Sequence, residues 1–475
     1  MKKHILTALG VVLLCAVSLA DASGAEIKMT KPTVAQLDRL FAHFNNATPG
    51  VAAAVDHKGK IVYQRGFGMS NLEHGVPIRT DSVFHIASIS KQFTAMAVVL
   101  LELEGRLSFE DDIRQHIPEV PDFGETITLR HLANHTSGLR DQWALLDLAG
   151  WRAEDIKTQE DVLELVKRQK DLNFKPGAEY LYCNTGFTLL AIAVHRVSGQ
   201  SLREFAEERI FRPLGMHRTH FHDDMSEIVE GRTQAYVPGR SGTYRISIPD
   251  FNTYGATSLF TTVEDLALWS RNFTHKRVGG EEGIARLLKK GVLNSGEEIP
   301  YALGILHGED KGLRTVGHGG ADAGYRSYFV MYPEQELSIM IFGNVNSSNP
   351  GGLARQAADI LLKDFFTEKP PPAKPRSKRP RPKSATLTPE QQAEYTGRFY
   401  SEELDVFYAI VRKDKNLYLR RRKFRDGRLF VRENDLMVWA GWEIRFFRGP
   451  AEKVSGFTLT RGRIRNLKFV RIEHP

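Results

Sequence analysis

Phe84-His-Ile-Ala-Ser88-Ile-Ser-Lys91-Gln-Phe-Thr-Ala95 is the stretch on which the reading of this 475-residue chain turns. From Ser88 to Leu103 the apolar residues Phe93, Met96, Ala97, Leu100 and Leu101 recur at three and four, so a helix entered at Ser88 is expected. Positions three apart share a helix face, which brings the Lys91 amine toward the Ser88 hydroxyl. A serine in the first turn also sits where unpaired N–H groups and the positive dipole end favour an oxyanion. The plain alternative is a helix start with a solvated lysine. The chain contains this Ser-x-x-Lys and no other.

Two later segments supply partners. Phe174-Lys-Pro-Gly-Ala-Glu-Tyr-Leu-Tyr182-Cys-Asn184 places a Tyr-x-Asn after a Pro-Gly turn and before a helix. A phenol with a pKa of about 10 is a poor base in water, but a neighbouring ammonium favours the phenolate, so Tyr182 is expected to take the Ser88 proton. A core tyrosine followed by an Asn cap is the alternative. Gly317-His318-Gly319-Gly320 reads as a glycine turn just before a strand, where a substrate backbone could lie and His318 could hydrogen-bond the substrate or polarise the departing group.

Outward from these motifs, Val51–Val55 and Ile61–Gly66 form one expected hairpin and Arg326–Tyr332 and Leu337–Gly343 a second. Helical periodicity marks Thr33 to Phe44, Asp161 to Lys170, Thr185 to Val197, Val263 to Phe273 and Gly352 to Phe366. The pattern predicts an α+β fold, an antiparallel sheet flanked by helices with a helical lobe beside it and the site where the two meet. Residues 369 to 386 form an expected linker, Pro-rich and purely basic over 369 to 383. Seven short segments between Gly397 and Phe469 then predict a small antiparallel barrel over 387 to 475.

The net charge of +8 and pI near 9.2 first suggest nucleic acid. Residues 26 to 368, however, carry 37 basic and 44 acidic side chains, the stretch 369 to 383 carries 7 and 0, and 384 to 475 carry 19 and 12. The positive charge belongs to the tail, so no nucleic-acid partner is expected. The two signs would attract across the domain interface or hold the tail electrostatically on an anionic cell envelope. Lys2-Lys3, the apolar run Ile5 to Leu19 and the small residues before Glu26 read as a signal peptide over 1 to 25, hence an exported protein, periplasmic or extracellular. With Cys15 removed, Cys183 is the one remaining cysteine, so no intrachain disulfide can form, and it is expected to be a small buried side chain.

The three motifs in this order, with His131-Leu-Ala-Asn-His-Thr-Ser-Gly-Leu139 and Pro213-Leu-Gly-Met216, resemble the penicillin-recognising serine hydrolases: class C β-lactamases, DD-carboxypeptidases, esterases and D-aminopeptidases. The resemblance implies a β-lactamase/DD-peptidase-like fold over 26 to 368 and an acyl-enzyme formed on Ser88. It further implies that Lys91 and Tyr182 manage the proton, that Asn184 orients substrate or Lys91, and that the N–H groups of Ser88 and Ala321 form the oxyanion hole. His318-Gly319-Gly320 stands where β-lactamases have Lys-Thr-Gly, and a neutral histidine binds a carboxylate less well than a lysine does. That departure looks more like the D-aminopeptidases and esterases, while Arg326 could restore the cation and keep a carboxypeptidase reading open. Tyr395-Thr-Gly-Arg-Phe-Tyr400 and Gly462 to Arg471 resemble the lipocalin-like domains of D-aminopeptidase-like members, with a passive solubilising module as the alternative. The expected substrate is a small peptide, amide or ester, with no cofactor and no metal. The cluster His217, His220, His222, Asp223 and Asp224 is read as an ordinary loop. A catalytically silent envelope-peptide-binding protein is the rival from another class.

Overall fold

The computed structural model describes residues 26–152, 154–368 and 387–472; the expected signal peptide and linker lie outside the described residues. A six-stranded antiparallel sheet is built from β1 (Val51–His57), β2 (Lys60–Phe67), β3 (Leu306–Asp310), β4 (Leu313–Asp322), β5 (Tyr325–Tyr332) and β6 (Leu337–Gly343). The spatial order is β3-β4-β5-β6-β1-β2, so the first hairpin pairs with the last strand through β1 and β6. Everything between Phe67 and Leu306 is consequently inserted between neighbouring parts of one sheet.

Both faces of the sheet are covered, and the composition of β1 reflects it. Val51, Ala53 and Val55 join one apolar cluster, with Leu37 and Phe41 of α1 (Lys31–Phe41). Ala52 and Ala54 join the other, which extends through the inserted lobe and the C-terminal domain. A strand buried on both sides reads as a continuous apolar run instead of an alternating one. Within the lobe, α2 (Lys91–Leu103) packs on α3 (Asn184–Ser198), and α4 (Val263–His275) packs on β1 and β6. Every residue of α2 from Lys91 to Leu101 is buried. That makes it a central helix, buried on all sides with Lys91, Gln92 and Thr94 among the buried residues, and not the amphipathic one its period suggested. On the opposite face α5 (Pro350–Leu361) lies on α1, β5 and β6.

Two expectations change. Ser88 precedes the α-helix, in a 3-10 turn spanning Ala87–Ser90. His318 lies inside β4 instead of ahead of a strand. Glycines usually signal turns, but Gly317 and Gly320 are in a strand because neighbouring chains approach too closely for a side chain: a Cβ on Gly317 would meet the Phe329 carbonyl oxygen at 2.1 Å.

The C-terminal domain is a nine-stranded antiparallel sheet: β7 (Gly397–Ser401), β8 (Val406–Lys413), β9 (Asn416–Arg420), β10 (Gly427–Arg428), β11 (Phe430–Glu433), β12 (Leu436–Trp439), β13 (Trp442–Arg448), β14 (Val454–Arg461) and β15 (Ile464–Ile472). Its order is β10-β9-β8-β7-β15-β14-β13-β12-β11. The edge strands β10 and β11 are separated in sequence by Leu429 alone, so the sheet curls toward closure as a barrel. Its interior is filled by aromatic rings such as Phe399, Phe457 and Phe469. Two of the nine strands, β10 and β12, lie outside the seven expected segments; with two and four residues they are too short to show a period.

The barrel docks on the helical lobe. The Tyr408 hydroxyl donates to the Leu148 carbonyl at 2.6 Å. Among the described residues six ion pairs cross the interface. In three the cation belongs to the hydrolase side, Arg140–Glu403, Arg168–Asp405 and Lys170–Glu402. In the other three it belongs to the barrel, Arg421–Asp147, Arg463–Asp141 and Arg465–Glu179. The interface is thus charge-mixed and does not follow the opposite net charges of the domains. Arg140–Glu403, at 2.7 Å and with side chains 0% and 5% exposed, is the buried one. Removing one member strands a buried charge, at a cost of roughly 3–5 kcal/mol, whereas apolar replacement of both is close to neutral. Glu403→Ala is therefore expected to lower the thermal midpoint of the full chain sharply, and Arg140→Met with Glu403→Leu to recover most of it, as read by calorimetry.

Candidate active site

The turn that carries Ser88 is held from several sides. Phe84 and His85 pair in register with Thr261 and Phe260. Ala87 then adopts φ +50°, the left-handed region that a residue with a Cβ enters at about 1–2 kcal/mol. Its N–H donates to His85 Nδ1 at 3.2 Å. Ser90 Oγ donates to the Ala87 carbonyl and accepts the Leu259 N–H at 3.0 Å. Ser327 Oγ of β5 donates to the Ile86 carbonyl at 2.7 Å. Ser88 is left partly exposed between buried neighbours.

Lys91 has no exposed surface. Its Nζ lies 3.1 Å from Ser88 Oγ, 2.9 Å from Asn184 Oδ1 and 2.6 Å from the Ala256 carbonyl. Asn184 cannot flip, because its Nδ2 donates to Asp141 Oδ2 at 2.8 Å and its backbone N–H donates to the same oxygen at 2.8 Å. Asn184 Oδ1 and the Ala256 carbonyl can only accept, so they claim two N–H groups of the amine. In the neutral amine the remaining position is a lone pair facing Ser88 Oγ. Burial lowers the Lys91 pKa to about 7, with Asp141 opposing and Arg463 reinforcing the shift.

Tyr182 lies between two cations, its ring centre 4.9 Å from Lys91 Nζ and 4.6 Å from the Arg463 guanidinium. Burial nevertheless raises its pKa, against the opposing pull of its hydrogen bond to Ser88 and of Arg463. The expectation of an ammonium-stabilised phenolate is thereby reversed. Desolvation disfavours both charged forms, leaving Tyr182 a phenol and Lys91 the group that titrates near neutrality.

His318 is buried, with Nδ1 2.6 Å from the Gly319 carbonyl and Nε2 3.0 Å from the Tyr301 hydroxyl. A carbonyl accepts only, so Nδ1 carries the proton and Nε2 accepts from Tyr301. Burial and Lys91 lower the His318 pKa to about 4, so it is neutral. Both ring nitrogens are engaged within the protein, and His318 offers a substrate neither a charge nor a free nitrogen. This corrects the expectation that it hydrogen-bonds substrate. Arg326 is corrected too. Side chains alternate along β5, Ser327 faces the nucleophile turn, and Arg326 donates instead to the carbonyls of Ala323 at 3.1 Å and Tyr325 at 2.6 Å. It does not line the cavity.

That cavity, about 470 Å³, is lined by Ser88, Tyr182, Asn184, the segment His318 to Asp322, and Arg463 among others. Gly319, Gly320 and exposed Ala321 form its strand wall. Gly320 is sterically required, since a Cβ there would meet the Ile86 carbonyl oxygen and Ser327 Oγ at 2.2 Å each, whereas one on Gly319 would make an ordinary 3.5 Å contact with the Tyr328 ring. Asp322 accepts from Thr257 Oγ1 at 3.0 Å, and burial raises its pKa to about 6. Cys183 is buried, as expected, and burial pushes its thiol up to about 12.

Asp141, Tyr301, Asp322 and Arg463 belong to the site without belonging to any of the three catalytic motifs. Asp141 is the N-cap of the helix Gln142–Ala149 and also the acceptor that orients Asn184, a role that no sequence motif marks. Arg463 lies in the other domain, inside the Gly462 to Arg471 stretch that resembles the lipocalin-like domains, with nothing in that stretch to mark it as reaching this cavity. Elsewhere, His220 Nε2 and His222 Nδ1 are 3.3 Å apart, and Glu227 joins them within 4.8 Å. Arg203 binds Glu227 at 2.6 and 2.7 Å and Asp223 at 2.8 Å.

A family model described as Beta-lactamase matches residues 37–363. The chain is 31% identical over 341 residues to a D-aminopeptidase from Brucella anthropi, covering 70% of this chain and 63% of that protein. It is 30% identical over 305 residues to penicillin-binding protein 4* of Bacillus subtilis, covering 60% and 66%. The chain thus spans a little under two thirds of these relatives. An octameric penicillin-binding protein homologue from Pyrococcus abyssi superposes with a TM-score of 0.62 at 23% identity, over 93% of this chain and 99% of that one. A D-amino acid amidase from Ochrobactrum anthropi SV3 superposes at 0.57 and 20%, over 70% and 97%. These two likenesses establish the fold.

Steric dependence on Gly320 gives a direct check. Overpacking typically costs about 1–3 kcal/mol, and here it would also displace the Ser88 turn. Gly320→Ala is expected to cut labelling of Ser88 by a fluorophosphonate at least tenfold, and to lower Tm more than Gly319→Ala does.

Proposed function

Since this chain belongs to the beta-lactamase family, we propose that it is a serine hydrolase that cleaves amide bonds in small peptides, those containing D-amino acids above all, through an acyl-enzyme on Ser88. One observation carries the reading: a buried lysine amine is anchored by two obligate acceptors, with its third position on the serine oxygen. The peptide preference is supported by the D-aminopeptidase and penicillin-binding relatives, and by a third motif that presents a neutral, fully engaged histidine where β-lactamases have a lysine.

In this mechanism neutral Lys91 accepts the Ser88 proton as Oγ attacks the substrate carbonyl. The N–H groups of Ser88 and Ala321 receive the oxyanion. Tyr182, held as a phenol beside Ser88, gives its proton to the departing nitrogen and recovers one from Lys91. Water enters as the leaving group departs, and the same amine activates it for deacylation. The segment Lys2 to Ala25 supports export, so the natural substrates would be peptides outside the cytoplasm.

Ser88→Ala is expected to abolish both hydrolysis of D-amino acid amides and fluorophosphonate labelling; retention of either contradicts the nucleophile. Lys91→Met should slow acylation by about 10²–10⁴-fold, and Tyr182→Phe should slow amide cleavage more than cleavage of an activated ester, whose leaving group needs no proton. The base works only when neutral, so kcat/KM should rise with pH through a midpoint near 7, the Lys91 value, and level above it. A midpoint above 9 would mean that the amine is not desolvated.

A further inference from the structure

Arg463 occupies the turn between β14 and β15, in the sequence Arg461-Gly462-Arg463, and reaches the catalytic cavity from the barrel. Its backbone is clamped on the hydrolase domain. The Arg463 carbonyl accepts Asn173 Nδ2 at 2.9 Å, and the Arg465 N–H donates to Asn173 Oδ1 at 2.8 Å. The Arg465 carbonyl accepts Arg140 Nη2 at 3.1 Å, and the Arg465 guanidinium binds Glu179 at 2.9 and 3.1 Å.

The guanidinium placed by this clamp is only partly used. Its face covers the Tyr182 ring and its Nη1 is 3.3 Å from Asp141 Oδ2, an oxygen that already accepts two shorter bonds from Asn184. Among the described residues no protein acceptor meets its other N–H groups, and the side chain is 42% exposed. The remaining candidates for an anion are unavailable: Lys91 is held by three partners, His318 is neutral and engaged, and Arg326 binds backbone carbonyls. Among the described residues that line the cavity, Arg463 is the one cation.

We propose that Arg463 is a specificity-determining residue that binds the substrate carboxylate, so that the enzyme prefers short peptides with a free C-terminus and the barrel is a working part of its site. A guanidinium with a free N–H edge matches a carboxylate by paired hydrogen bonds. The inference rests on the hydrolase reading above, and the test separates the two.

The full-length protein is assayed with a D-alanyl dipeptide and with the same dipeptide as its C-terminal amide, in wild type, Arg463→Gln and Arg463→Lys. Arg463→Gln is expected to lower the acid-to-amide ratio of kcat/KM at least tenfold, chiefly through KM for the acid, and Arg463→Lys to recover part of it. Equal losses on both substrates, no change on either, or a common shift of the acid limb of the pH profile would overturn the proposal; the last would place the effect on Lys91 instead. Calorimetric binding of acid and amide to the Ser88→Ala protein, with and without Arg463→Gln, reads the same preference without turnover. Selective, Arg463-dependent binding of the acid by a protein that cleaves neither substrate would overturn the hydrolase reading alone. Cleavage of both without Arg463-dependent selection would overturn this proposal alone.

Discussion

A lysine amine without exposed surface is the constraint around which the rest is arranged. Left alone it would be strongly destabilised as an ammonium. The fold gives it two fixed acceptors, one on α3 and one in the segment that leads into α4, and a serine oxygen at the third position. Each acceptor is itself oriented: Asn184 by Asp141, Ser88 by the left-handed Ala87 and by the bond from β5 to the Ile86 carbonyl. The burial of α2 on all sides, the close approach at Gly320 and the insertion of the lobe between β2 and β3 all serve this geometry. Burial is also what moves the amine to near neutrality and holds Tyr182 protonated, so one physical cause assigns both proton roles.

Much of this was legible in the order of residues. The two hairpins and the helix after Ser88 were marked by period and turn chemistry, and Ser88, Lys91, Tyr182 and Asn184 do converge on one cavity. The errors have specific origins. The glycines around His318 suggest a turn because glycine more often marks a bend than a place where two strands touch, and only the neighbouring strand, which a local reading does not contain, shows which. The role of His318 as a substrate ligand failed because Tyr301, 17 residues earlier, occupies Nε2. Arg326 failed on strand alternation, which places it on the opposite side from Ser327. The phenolate expectation counted a neighbouring charge without the larger desolvation.

Net charge was the least informative quantity about how the domains meet. A chain acidic in its first part and basic in its tail suggests attraction between the two, yet the crossing ion pairs run equally in both directions, and the most buried has its arginine on the acidic side. Net charge describes mostly solvated surface; docking is decided by a few positions with matched geometry, the same positions that carry Arg463 into the cavity.

Desolvation of Lys91 lowers its pKa to about 7, and titrating that amine reads this shift without passing through turnover. With ¹³C-labelled lysine and the Lys91→Met variant for assignment, the Lys91 ε-carbon resonance should titrate with a midpoint near 7. A Lys91 resonance that stays in the ammonium position to pH 9 would contradict the account, because the amine could not then accept the serine proton.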